Sequence, residues 1–200
     1  MTNTISKPTW LYKTIEVPNI DQIKRECMDV FYKHYPDVFG DHGFTFTYAD
    51  QDVLRAEAPA YIDYIKSLGL YDRWAKSVLI GTLGEERLKD SPIHVDSEDW
   101  QTRSYALNIP LINCENSHTV WYDVKDRDED AYSGDDQTAK GYSTARGFKP
   151  ETSTEIGRLA TINPAWVNVS IPHRAENTND DIRLVISTRF WPEIHDYFSN

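Results

Sequence analysis

Cysteine is scarce in this chain. Cys27 and Cys114, the only two in 200 residues, are too few and too far apart for a disulfide framework or a thiolate metal site. A reducing cytoplasm is the expected setting. Long apolar runs are missing as well: no stretch approaches the roughly 18 continuous apolar residues a membrane span needs. The opening MTNTISKPTW has no basic region followed by an apolar run, so no secretory signal is read there. Positive charge is also short, with 21 Lys and Arg against 32 Asp and Glu and a net charge of −11. Duplex nucleic-acid binders normally carry a basic surface, so no nucleic-acid partner is expected. The chain shows no internal repeat, and its only biased tract is the acidic, turn-like segment Asp123–Asp136. With 40% apolar and 12% aromatic residues, it can bury a sizeable core.

The first third reads as largely helical. Trp10–Val17 has strand character up to Pro18. A helix capped by Asn19 or Asp21 follows to about Tyr35, with Ile20, Ile23, Cys27, Val30 and Phe31 at helical spacing. Gly40–Gly43 is a turn. A second helix from Asp50 or Asp52 to Leu68 is interrupted or restarted at Pro59, and Tyr71–Lys76 suggests a third. From Ser77 the pattern changes to short strands: Val78–Leu83, Ile93–Asp96, Arg103–Ile109, Thr119–Val124, Leu159–Ile162, Val167–Ile171 and Ile182–Phe190. Helices followed by many short strands predict a mainly β, α+β chain, a sandwich or barrel with helices packed outside. In the last strand Leu184, Ile186 and Phe190 share one face, suited to the helices. Arg183, Val185, Ser187 and Arg189 share the other, suited to a wet cavity or ligand site.

One constellation carries chemistry. His94 and Asp96 stand two apart in the strand candidate PIHVD, and positions i and i+2 project to one face. By itself H-x-D is a weak signal. His173, just after VNVSIP, completes two histidines and a carboxylate, the facial triad that leaves positions open on iron for substrate and O2. Arg183 follows ten residues later. If Asn177–Asp181 forms a hairpin loop, His173 and Arg183 become diagonal neighbours roughly 7–8 Å apart. A small dicarboxylate would then chelate the metal at one end and meet the guanidinium at the other. Ser187 lies on the same face and can donate a hydroxyl. The geometry depends on loop length, since a one-residue register change turns Arg183 away.

H-x-D, a distal histidine and an arginine ten residues on resemble the iron(II)- and 2-oxoglutarate-dependent oxygenases. The segments HVDSEDWQTRSYALNIPLINCENSHTVWY and NPAWVNVSIPHRAENTNDDIRLVISTRFWPEI carry the likeness. The ending RLVISTRFWPEI, with Arg103 nine residues after His94, is similar to the aspartyl/asparaginyl β-hydroxylase branch, although that branch often lacks the carboxylate that Asp96 provides here. The resemblance implies a double-stranded β-helix, or jelly roll, over 77–200, supported by 1–76 within a single domain. It implies Fe(II), 2-oxoglutarate as co-substrate and O2, with succinate and CO2 as co-products of a hydroxylation. The substrate partner would be a small molecule or peptide.

Arg103 and Tyr105 belong to one face of Arg103–Ile109 and Asn108 to the other, and the alternation leaves open which face meets the co-substrate. His118 reads as a loop residue. Trp121, Tyr122 and Trp166 read as core before substrate contacts. Glu176 and Asn177 are candidates to orient the His173 ring. Asp123–Asp136 is either a lid or a solvated loop. Two other readings remain: a cupin-like metal enzyme not using 2-oxoglutarate, in which Arg183 would be dispensable, and an inert jelly-roll binding module.

Overall fold

The structure, a computed structural model, describes residues 10–39, 44–82, 93–96, 105–126, 146–192 and 194–198. Helix α1 spans Ile20–His34, and its apolar stripe buries Ile23, Cys27, Val30 and Phe31. It starts after Asn19, which adopts the left-handed backbone that asparagine tolerates. The next helical stretch is split as the sequence suggests. Helix α2 covers Gln51–Glu57 and α3 covers Pro59–Ser67, with Pro59 in the first helical position where its missing N–H costs nothing. The Asp50 carboxylate caps α2, accepting from the backbone N–H groups of Asp52 at 2.7 Å and Val53 at 3.3 Å. Asp50→Ala should therefore lower unfolding stability by about 1 kcal/mol in a urea titration. Among the described residues, no helix is long and apolar enough to cross a membrane.

Eleven strands are described. The first three are β1 (Tyr12–Thr14), β2 (Phe44–Ala49) and β3 (Trp74–Thr82). β4 (Ile93–Val95), β5 (Tyr105–Ile112), β6 (Ser117–Val124) and β7 (Arg146–Phe148) follow. The last are β8 (Ser153–Ala160), β9 (Ala165–Asn168), β10 (His173–Asn177) and β11 (Arg183–Phe190). They form two antiparallel sheets, ordered β1-β9-β5-β11-β3-β2 and β7-β4-β10-β6-β8. From β3 to β6, and again from β8 to β11, the chain alternates between the two sheets. That winding is the double-stranded β-helix, and the expected jelly roll with outer helices is the fold observed.

The helices cover the outer face of the first sheet. Leu184, Ile186 and Phe190 of β11 join Leu107, Ile109, Trp166 and the helical residues Phe31, Leu54, Tyr61 and Ile65 in one core. The Tyr61 hydroxyl sits 2.5 Å from Ser77 Oγ and 2.6 Å from Thr188 Oγ1, tying α3 to β3 and β11. A smaller core of Ala106, Trp121, Leu159, Ala165, Val167 and Val169 fills the space between the sheets. Cys27 and Cys114 are both buried and free.

Several expectations change. The first 76 residues are not purely helical support, because β1, β2 and the start of β3 extend the first sheet. Phe44–Ala49 (FTFTYA) carried the signal in its aromatic and β-branched residues. Tyr71–Lys76 is only a 3-10 turn over Tyr71–Arg73 before β3 begins. Most consequential, β10 and β11 do not form a hairpin. β10 pairs with β4 and β6, whereas β11 pairs with β3 and β5. Asn177 redirects the chain: its side-chain amide donates to Thr82 O at 2.8 Å in the first sheet and to Asp181 O at 3.1 Å. The connection therefore crosses between sheets.

Candidate metal centre

β4 and β10 are adjacent in the second sheet, and His94 and His173 are direct Cα partners. Their rings lie 4.7 Å apart between centroids. Asp96 follows β4, where its backbone N–H donates to Val169 O at 3.1 Å. Its Oδ1 is 3.4 Å from His94 Nε2 and 3.6 Å from His173 Nε2. One ligand atom from each of the three residues falls within 4.8 Å of the other two. A cation bound at about 2.1 Å to each, with right angles between bonds, needs separations of about 3.0 Å. The two separations from Asp96 are already within about half an ångström of that, and the two imidazoles, whose ligand atoms lie within 4.8 Å, would close toward the ion, so these donors fit a divalent metal.

The His173 ring is fixed by its own chain. Nδ1 lies 2.9 Å from Ile171 O. A carbonyl only accepts, so Nδ1 carries the proton and the Nε2 lone pair faces Asp96 and His94. Glu176 plays no part in this: it binds Arg174 at 2.9 Å and the Tyr122 hydroxyl at 3.1 Å. Asn177 is committed to the crossing turn. The expectation that either orients the ring is corrected by the backbone carbonyl.

Burial, helped by the neighbouring His94 imidazole, pushes His173 down to about 4. Burial alone would raise the Asp96 carboxyl, but the Arg189 charge and the two histidines more than reverse this and hold it well below the usual carboxylate range. Both groups are thus in ligating form at neutral pH. A stability consequence follows for the metal-free protein. Between pH 6.5 and about 4 the unfolded state binds the His173 proton and the folded state does not. Stability present above that window should fall as the pH drops through it, by up to about 3 kcal/mol. Urea titrations at pH 7 and 4.5 test this: His173→Gln should lose less than the parent, and an identical loss would contradict it.

Arg183 reaches the interior from the opposite sheet. It is 2% exposed. Its Nε donates to Ser117 Oγ at 3.1 Å and to Thr161 Oγ1 at 3.4 Å, and among the described residues no carboxylate contacts it. Burial lowers its pKa. Its Cα partner Thr82 has a buried hydroxyl with no hydrogen-bond partner among the described residues. On β6, Trp121 is opposite His173 and Ser117 is opposite Asn177. The arginine's hydroxyl partner therefore sits four residues from the metal level, roughly 13 Å along the strand. This replaces the diagonal-neighbour geometry: the two side chains share the interior but not a sheet.

The other expected site residues divide. Asn108 faces inward, because Ser187, its Cα partner, donates its hydroxyl to Asn108 Oδ1. Tyr105 does not face the site. It packs in the helix-side core and stacks on Trp10 at 4.9 Å, which corrects its placement near the co-substrate. Arg103 and most of Asp123–Asp136 lie outside the described residues. Trp121 and Trp166 are core, as read from sequence. His118 belongs to β6, where strand alternation turns it away from Ser117 and the interior. The residue that sequence reasoning passed over is Arg189. It lies on the face of β11 that was recognised as polar, and its Nη2 binds Asp96 Oδ2. The signal available was its spacing of two from Ser187 and six from Arg183.

No family model matches this sequence, and no curated protein matches it. Among solved structures, the chain is similar to a prolyl hydroxylase from Trichoplax adhaerens in complex with a hypoxia inducible factor oxygen degradation domain peptide fragment. The TM-score is 0.50 at 11% identity, over 96% of this chain and 88% of that one. It also aligns with SnoK, a non-heme alpha ketoglutarate dependent carbocyclase from nogalamycin biosynthesis, with TM-score 0.48, 12% identity, and 90% and 79% of the two chains. HygX from Streptomyces hygroscopicus, solved with nickel and 2-oxoglutarate bound, gives 0.48 at 11%, over 92% and 83%. The likeness to the prolyl hydroxylase shows a shared fold.

Proposed function

We propose that this chain is an iron(II)- and 2-oxoglutarate-dependent dioxygenase, with His94, Asp96 and His173 as the metal ligands. The reaction would hydroxylate an unactivated C–H bond of an amino acid, a peptide side chain or another small metabolite, with succinate and CO2 as co-products. One observation carries this reading: the second sheet brings His94, Asp96 and His173 together, and from the first sheet a buried arginine that no described carboxylate neutralises reaches the same interior. A buried guanidinium without a counter-ion is costly. A dicarboxylate that chelates the metal through its 2-oxo acid end brings the missing charge to Arg183 with its other end.

When bound, iron supplies the activation of O2 and the oxidative decarboxylation of the co-substrate. The chain's own residues do the rest. His173 offers Nε2 because Ile171 holds the Nδ1 proton. Asp96 stays ionised beside Arg189. Ser117 and Thr161 accept from Arg183 Nε, which leaves the rest of the fork for the incoming carboxylate. Thr82 supplies a further hydroxyl donor at that end. Burial of His173 and Arg183 strengthens these contacts.

Thermal unfolding with manganese(II), 2-oxoglutarate, or both tests the reading. Manganese alone should stabilise the fold, and 2-oxoglutarate should add stabilisation only once the metal is present. A chain indifferent to both would end it. Stabilisation by metal with no response to 2-oxoglutarate would leave a metal site and remove the co-substrate.

A further inference from the structure

The two oxygens of Asp96 have different surroundings. Oδ1 faces His94 Nε2 and His173 Nε2 at 3.4 and 3.6 Å. Oδ2 is bound by Arg189 Nη2. The same guanidinium donates through Nη1 to Ser187 Oγ, whose hydroxyl is donated to Asn108 Oδ1. Arg189 is 7% exposed and Ser187 is fully buried. Ser187 and Asn108 are Cα partners on β11 and β5, and Thr188 between the two β11 residues is tied to α3 through Tyr61. A rigid row in the first sheet thus reaches across the interior to hold one carboxylate oxygen belonging to the second.

We infer that Arg189 is a positioning residue that restricts Asp96 to one-oxygen coordination; the inference rests on the metal-centre reading above. A carboxylate with both oxygens free can take two positions on a cation. On a six-coordinate ion, two histidines and a two-oxygen Asp96 leave two places. A chelating 2-oxo acid fills both, and none remains for O2. With Oδ2 held by Arg189, only Oδ1 reaches the ion and three places stay open. The guanidinium suits this task because its planar fork spans Ser187 and Asp96 at once. Like charge near the cation opposes tight metal binding, so the arrangement serves geometry before affinity.

Water-proton relaxation of the manganese(II)-loaded protein reads the number of exchangeable waters on the ion, independently of turnover. The parent should show relaxivity matching three waters. Arg189→Met should retain manganese but drop to the relaxivity of two. Arg189→Lys keeps a cation on Oδ2 and should restore the third water. Relaxivity unchanged in Arg189→Met would overturn the inference. If that variant does not fold, Asn108→Ala removes the far anchor without stranding a buried ion; its relaxivity should fall in the same direction, and parental relaxivity would count against the proposal. A parent protein that leaves manganese relaxivity at its free value would instead end the metal-centre reading itself.

Discussion

Replacing His173 by alanine should abolish metal-dependent stabilisation and co-substrate turnover together, while leaving a folded protein. The side chain contributes little to folding. It is neutral, and its one hydrogen bond among the described residues is local, to Ile171 O. Its loss should cost about 1–2 kcal/mol, in the range for a single buried hydrogen bond plus a small void. The effect on metal is larger. With one of three ligands gone, affinity should fall by at least about 100-fold, the upper range for the weaker changes around metal sites. At a metal concentration about 100 times the parent dissociation constant, about 2.7 kcal/mol of stabilisation would shrink to about 0.4 kcal/mol or less. Thermal unfolding with and without manganese measures both quantities on one sample. A variant that melts earlier but keeps the full metal-induced shift would show that His173 is structural.

Arg183→Met is the second large effect, and its two consequences should have opposite signs. The cation is fully buried with only hydroxyl partners among the described residues, so an apolar side chain of similar length should leave the ligand-free protein as stable or raise its melting temperature. Its hydroxyl neighbours stay satisfied: Ser117 Oγ donates to Cys114 O at 3.0 Å, and Thr161 Oγ1 donates to Ser117 O at 3.1 Å. Co-substrate binding should nonetheless fall by about 2–4 kcal/mol, because the distal carboxylate would be buried without its partner. Calorimetric titration of 2-oxoglutarate into the manganese-loaded variant gives the loss, and differential scanning calorimetry without ligand gives the gain. Parental co-substrate affinity would leave the buried cation unexplained and favour a metal enzyme that does not use 2-oxoglutarate.

Much of the site was legible because strand alternation is a local rule. His94 and Asp96 follow from spacing, and the polar face of β11 follows from alternation around Leu184 and Ile186. Partners of a strand are not local. The segment Asn177–Asp181 has the composition of a hairpin loop, and only the Asn177 contacts with Thr82 and Asp181 show it crossing between sheets. Arg183 was expected to face inward, and it does, though from the opposite sheet, because either connection turns it inward. Tyr105 and Asn108 were indistinguishable because β5 is buried on both faces, which erases the contrast that assigns an inner side. Arg189 acquires its meaning from Asp96, 93 residues away, and no periodicity within RLVISTRF could reveal that contact. β8 was underestimated because five of its eight residues are exposed and only Leu159 is buried, leaving little apolar alternation to read.

The most direct test is an anaerobic titration of the iron(II)-loaded protein with 2-oxoglutarate, followed by visible absorbance. Chelation of a 2-oxo acid to iron(II) produces a charge-transfer band that neither component gives alone. The account predicts that the band appears with both present, is lost in His173→Ala, needs far more 2-oxoglutarate in Arg183→Met, and decays on admitting O2 as succinate forms. A parent protein that binds iron(II) yet develops no band at saturating 2-oxoglutarate would contradict it.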